Sequence, residues 1–199
     1  DQDALDYVQE KFKVESSKLK VRKECRLVKG NFQDIDTIAK VNDFEKVAGI
    51  VFDLGVSSHQ LDTPERGLSF QKAGPLDMRM DQELTVRARD LINGLTKQEL
   101  SELFYKLGEE YRSRVIAHAI VSEREKKQIE TTEELEKIVR HAVGGRFSKV
   151  GKHISTHPAT KVFQALRIAI NDEVHTLEEA LPKALQLLDA GGRIVVISF

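Results

Sequence analysis

An α/β fold, with a parallel sheet interrupted by an all-helical block, is predicted by three observations. Residues 1–53 alternate helix-spaced and strand-like patterns. A long middle region then carries one helical pattern after another with no strand between them. The chain closes on "RIVVISF", Arg193 to Phe199, an apolar run rich in β-branched residues that returns to a strand.

Element by element, "DALDYVQEKF" places Leu5, Val8 and Phe12 at helical spacing, and "ECRLVKGNF" reads as a short strand running into a Gly-Asn turn. "QDIDTIAKVNDF" spaces Ile35, Ile38 and Val41 for a second helix. "VAGIVFDLG" is a nearly continuous apolar run of the kind a parallel sheet buries on both faces. There follows a long stretch without a periodic pattern, "DLGVSSHQLDTPERGLSFQKAGPLDMRMD", Asp53 to Asp81. Structureless connections of that length are uncommon in compact domains unless they bind or gate something.

The helical block begins near residue 84. Leu100, Leu103, Phe104 and Leu107 share one face of "TKQELSELFYKL", and Val115, Ile116, Ala119 and Ile120 continue the pattern in the next segment. "TTEELEKIVRHAV" opens with a capping box, Thr131 with Glu134. "HPATKVFQALRIAI" begins with Pro158 at a first helical position, and "TLEEALPKALQLLDAGG" predicts a helix kinked at Pro182 and stopped at Gly191. The expected division is residues 1–83 with 153–199 as the α/β domain and residues 84–152 as a helical insertion.

The 199 residues are 40% hydrophobic and 32% charged, enough for a real core. With 31 basic against 32 acidic side chains, no global field draws the chain to nucleic acid or membrane, so such contacts need a local basic patch. Cys25 is the single cysteine, which excludes an internal disulfide framework and fits a cytoplasmic setting. No apolar run approaches the roughly 18 residues of a membrane span, and no basic-then-apolar signal opens the chain. A start on Asp1 and an end inside a strand read as a piece of a longer chain.

In an open parallel sheet, ligands sit beyond the carboxyl ends of strands. "KGNF" follows one strand pattern. There Gly30 admits unusual backbone angles and Phe32 could cover an aromatic ring, although a turn and a core phenylalanine account for the same residues. Asp53 ends the most apolar strand, where a carboxylate is costly unless it caps, pairs or faces a polar ligand. Ser57, Ser58, Gln60, Arg66 and Arg79 follow it as donors or as solvated loop residues.

A third candidate is "RHAVGGRFSKVGKHISTHPATK", with five Lys/Arg, no Asp or Glu, three histidines and three glycines. A flexible cationic segment suits phosphate contact, with Phe147 available for stacking, and a solvated surface loop is the competing reading. His153 and His157 have i, i+4 spacing, but Pro158 and the neighbouring glycines oppose a helix through both, so no metal is expected. The chain contains no P-loop, nucleophile elbow, HExxH or dinucleotide glycine fingerprint.

Taken in order, "GIVFDLGVSSHQLDTPERGLSFQKAGPLDMRMD", "LGEEYRSRVIAHAIV", "HPATKVFQALRIAINDE" and "GGRIVVISF" closely resemble the RsmH (MraW) family. Its members are S-adenosylmethionine-dependent methyltransferases acting on the N4 amine of a cytidine in 16S ribosomal RNA of the small subunit. The resemblance implies a class I methyltransferase fold, Rossmann-like with a helical insertion. It places Phe32, Asp53 and Gln60 on cofactor-contacting positions. The family's glycine-rich cofactor loop, of the type DGTFGRGGH, and its "HSLEDR" continuation have no counterpart in this sequence, and His59 stands where proline is usual.

The implied chemistry needs donor sulfur, methyl and acceptor nitrogen in line. Acceptors on the cytosine N–H groups would help a delocalised amine to attack, for which Asp77 and Ser57 are candidates beside purely structural roles. The cytidine must be splayed out of the RNA, with Arg66, Arg79, Arg146, Lys149 and Lys152 as phosphate contacts. Oligomeric state is not legible. A rival reading is a non-catalytic RNA-binding or ribosome-assembly module. A DNA amino-methyltransferase would carry a (D/N/S)PP(Y/F) motif that "DLGVSS" does not supply.

Overall fold

The structure is a computed structural model that describes residues 5–10, 26–144 and 157–198. After a helical segment α1 at residues 5–10, the elements are α2 (Ile35–Val41), β1 (Val47–Asp53), α3 (Ser58–Asp62), α4 (Ala88–Gly94), α5 (Lys97–Gly108), α6 (Ser113–Arg124), α7 (Thr132–Ala142), α8 (Pro158–Ile170), α9 (Glu173–Leu187) and β2 (Leu188–Ile197). They form two compact units, residues 1–56 with 174–199 and residues 57–173. The helical unit therefore starts at Ser57, earlier than residue 84, and includes α8.

In the first unit β1 and β2 pair in parallel, with Gly49 opposite Arg193 and Asp53 opposite Ile197. Phe52, Ala180 and Ala184 form its buried core, with Ile35, Ile50, Leu54, Leu181 and Ile194 packed against them. Ala180 and Ala184, one turn apart, let α9 approach Phe52 closely. The expectation of burial on both faces is not met among the described residues: Phe52 is buried while Val51 is 65% exposed.

Two further expectations are corrected. Arg26, Leu27 and Val28 are not in a strand; no described neighbour offers them a ladder, and both Leu27 and Val28 are exposed. Helix α9 runs through Pro182 to Leu187, and Gly191 lies inside β2. There its φ of 82° serves an irregularity in the register between Val47 and Gly49.

The second unit is built from α4 to α8, with α5 packed between α6 and α8. Leu100 and Phe104 of α5, Ile116 and Ile120 of α6, Leu135 and Val139 of α7, and Val162 and Leu166 of α8 are buried. The capping box at Thr131 and Glu134 and the first-turn proline at Pro158 are both formed. The stretch after Ser57 is no structureless loop. It makes α3 and a 3-10 turn at Pro64–Arg66, then buries Leu68 and the whole run Leu76–Arg79.

Candidate functional site

In the first unit, the exposed carboxyl end of β1 carries the candidate residues. Asp53 is the last residue of the strand, fixed there because the next N–H, of Leu54, donates to Ile197 O at 3.0 Å. Its carboxylate is exposed, so the burial cost that singled it out does not arise; what remains is an anionic acceptor at a strand's carboxyl end. In the same unit Phe32 opens a 3-10 turn whose N-cap, Asn31, accepts from Gln33 N–H at 3.1 Å. The Phe32 ring meets Phe52 edge-on, centroids 5.8 Å apart, and stays 37% exposed. Lys183 ties the turn to α9 by donating to Gln33 O at 2.6 Å. Gly30 has an ordinary φ, so its expected role changes: a Cβ there would lie 2.7 Å from Ile38 Cδ1.

In the second unit, Ser57 and Gln60 close a capping box on α3. Gln60 N–H donates to Ser57 Oγ at 3.2 Å, and Ser57 N–H donates to Gln60 Oε1 at 3.0 Å. The S-x-x-Q spacing is the sequence signature of such a box, so this role was readable in "SSHQ".

Asp77 is buried and Arg79 grips both its oxygens, Nε to Oδ1 at 2.7 Å and Nη2 to Oδ2 at 2.8 Å. Arg79 N–H also donates to Oδ1 at 3.1 Å, and Arg87 Nε lies 3.4 Å from Oδ2. Burial by itself would push the Asp77 carboxyl up; the Arg79 bonds and the two guanidinium charges outweigh it and hold it below the usual carboxylate range. An acceptor so occupied holds the segment rather than a substrate amine.

The two arginines expected at phosphates are placed differently from that expectation. Arg79 is buried, and its remaining donors serve Gln82 O at 2.9 Å and Leu84 O. Arg66 is buried as well and donates to Met80 O at 2.7 Å. Either would have to give up these bonds to reach a phosphate, because a loop that buries Leu76–Arg79 needs cations inside it for its carbonyls and for Asp77. Arg146, Lys149 and Lys152 lie outside the described residues.

Sequence reasoning missed the clamp made by Asn171 at the end of α8. Its Oδ1 accepts from Met80 N–H at 2.7 Å, and its Nδ2 donates to Met78 O at 2.9 Å and Arg167 O at 2.9 Å. Met78 between them is fully buried at φ 65°. Nothing local in "PLDMRMD" announces a partner 93 residues away.

The MraW methylase family model matches residues 1–199. The chain belongs to this family. It is 47% identical over 197 residues to the ribosomal RNA small subunit methyltransferase H of Persephonella marina, covering 99% of this chain and 65% of that protein. The proteins of the same name from Thermomicrobium roseum and Fusobacterium nucleatum are 48% identical over 170 residues and 42% identical over 199. These alignments cover 85% and 100% of this chain and 50% and 59% of those relatives. The chain thus spans between half and two thirds of the length of these MraW-family relatives. For a member of this family, Asp53 and Phe32 supply a hydrogen-bond acceptor and a half-open aromatic face in the first unit. Ser57, Gln60, Asp77, Arg66 and Arg79 are built into the second. Among the described residues no helix is long and apolar enough to cross a membrane.

Proposed function

We propose that this chain belongs to a class I, Rossmann-like methyltransferase that carries methyl from S-adenosylmethionine to the N4 amine of a cytidine in small-subunit ribosomal RNA. The observation that carries the reading is the family match along the whole chain. The donor set at the end of β1 fits the cofactor: an adenine presents an N–H donor for the Asp53 carboxylate and a ring that Phe32 can cover. Bound there, S-adenosylmethionine supplies an already activated methyl group on a sulfonium.

The chain's own residues then bind and orient. Asp53 and Phe32 hold the adenosine end, and Ser57 and Gln60 shape the turn that opens α3. The Asp77–Arg79 pair keeps the 66–84 segment in one conformation before substrate arrives. We assign RNA recognition to the insertion at 84–152, with Arg146, Lys149 and Lys152 as phosphate contacts, and place the protein in the cytoplasm with the small ribosomal subunit as partner.

The test is calorimetric titration of S-adenosylmethionine into the protein at its native length, wild type against Asp53→Ala. Binding that falls at least tenfold on substitution supports the assignment. Equal binding by both proteins contradicts the role of Asp53, and absence of binding by the wild type favours the non-catalytic RNA-binding module.

A further inference from the structure

The helical unit carries a groove of about 800 Å³ on α5 and α6, lined among others by Lys97, Tyr105, Lys106, Tyr111, Arg114 and His118. None of these side chains has a part in the site described above. Two are tyrosines left in water, Tyr105 at 56% and Tyr111 at 81% exposure.

Tyr111 is exposed but not loosely held. It sits in the α5–α6 turn, where Glu109 caps α5 at φ 51° and the buried Glu110 carboxylate accepts from Arg112 N–H at 2.8 Å. Its ring meets Tyr105 edge-on at 6.3 Å and lies under Lys161 Nζ at 5.4 Å. Lys161 is itself anchored by donating to Glu109 O at 2.8 Å. Most of the ring is open and already placed, so a base stacking on it would cost little ordering.

The charge lining the groove is mostly positive, with Lys97, Lys106 and Arg114 against one carboxylate. Lys97 and Arg114 are exposed and in no ion pair among the described residues. Lys106 pairs with Glu102 at 3.1 Å, an exposed pair of little strength, and Glu102 is the one acid lining the groove. Since the whole chain carries a net charge of −1, this is a local excess of cations beside an open aromatic. That combination suits a phosphate backbone with unstacked bases.

We infer that the α5–α6 groove binds single-stranded RNA, with a base stacked on Tyr111 and phosphates held by Lys97 and Arg114. This rests on the ribosomal RNA reading and deepens it, by giving the RNA a contact surface on α5 and α6 that Lys161 also reaches. An acidic peptide shares the charge complement but has no flat base to place on the tyrosine.

The test measures fluorescence anisotropy of a labelled mixed-sequence RNA oligonucleotide with the native-length protein over a range of salt. The proteins are wild type, the double variant Lys97→Glu with Arg114→Glu, Tyr111→Ala, Tyr111→Phe, and Lys126→Glu as a charge control. The double variant is expected to lose at least about tenfold in affinity and to lower the salt slope by roughly 1.4, two contacts at about 0.7 each. Tyr111→Ala should lose roughly tenfold and Tyr111→Phe should retain binding, with all melting temperatures unchanged because the side chains are exposed.

Groove variants that bind as wild type, or a Lys126→Glu loss as large as theirs, overturn the inference. If they also leave ribosomal RNA methylation intact, the groove assignment falls and the enzyme reading stands; a wild type that neither binds nor methylates RNA overturns both. Poly-glutamate binding that the variants lose, with RNA binding unaffected, would reassign the groove to an acidic protein.

Discussion

Arg79 and Asp77 form a two-pronged buried ion pair at 2.7 and 2.8 Å, and they bracket Met78, which is fully buried in a left-handed conformation. The pair and the strained residue are one device. A non-glycine residue at positive φ costs on the order of 1–3 kcal/mol and persists only where its surroundings over-determine it.

Removing one partner leaves the other charge buried alone. Asp77→Ala is expected to destabilise the protein by about 3–5 kcal/mol, read as a lower melting temperature. The double substitution Asp77→Leu with Arg79→Met should recover part of that loss. A single variant that melts like wild type would contradict the structural role.

Asn171 satisfies a buried N–H and a carbonyl on either side of the same segment. Asn171→Ala is expected to cost about 1–3 kcal/mol in denaturant unfolding. Asn171→Asp, which keeps the acceptor and loses the donors, should fall in the same range.

Gly74 packs its Cα against the Pro64 carbonyl with no room for a methyl group, while its N–H donates to Thr132 Oγ1 at 3.1 Å. Gly74→Ala must push backbone from backbone and is expected to cost about 1–3 kcal/mol. Gly94→Ala, where open space surrounds the Cα, serves as the comparison.

Glu134 receives Lys127 Nζ at 2.7 Å and the backbone N–H groups of Glu130 and Thr131, which together hold its carboxyl at about 2, well below its ordinary 4.5. The unfolded chain therefore binds a proton more readily between those values. Stability from this group is complete above pH 4.5 and is lost as pH falls toward 2. Acid unfolding curves of Glu134→Gln should be flatter than wild type in that window; Asp77, also lowered, adds its loss at the acid end.

Much of this was legible where the cause is local. Helical spacing of Leu100 with Phe104, the Thr131–Glu134 box and Pro158 each act within one turn of chain, so pattern alone found them. The parallel return of "RIVVI" beside "VAGIVFD" followed from apolar runs separated by helices. What failed was set by distant partners. Arg66 and Arg79 read as solvent-facing cations because nothing nearby says they are buried, and Asn171 reaches back across 93 residues to the segment they serve. Gly191 read as a helix stop, but β1 lies alongside and turns the last residues of that helix into strand. At the candidate site, Asp53 was singled out by its place at a strand end, and the structure does end β1 there. Ser57 and Gln60 carried a capping signature beneath a catalytic reading of the first and a cofactor-contact reading of the second.

The most direct test is to incubate the native-length protein with S-adenosylmethionine and unmodified small-subunit ribosomal RNA, then map methylated nucleosides by mass spectrometry. The account predicts methyl on the N4 amine of a single cytidine, lost in Asp53→Ala. Methyl on a ring carbon or a ribose, or none from a wild type that binds the cofactor, would contradict it.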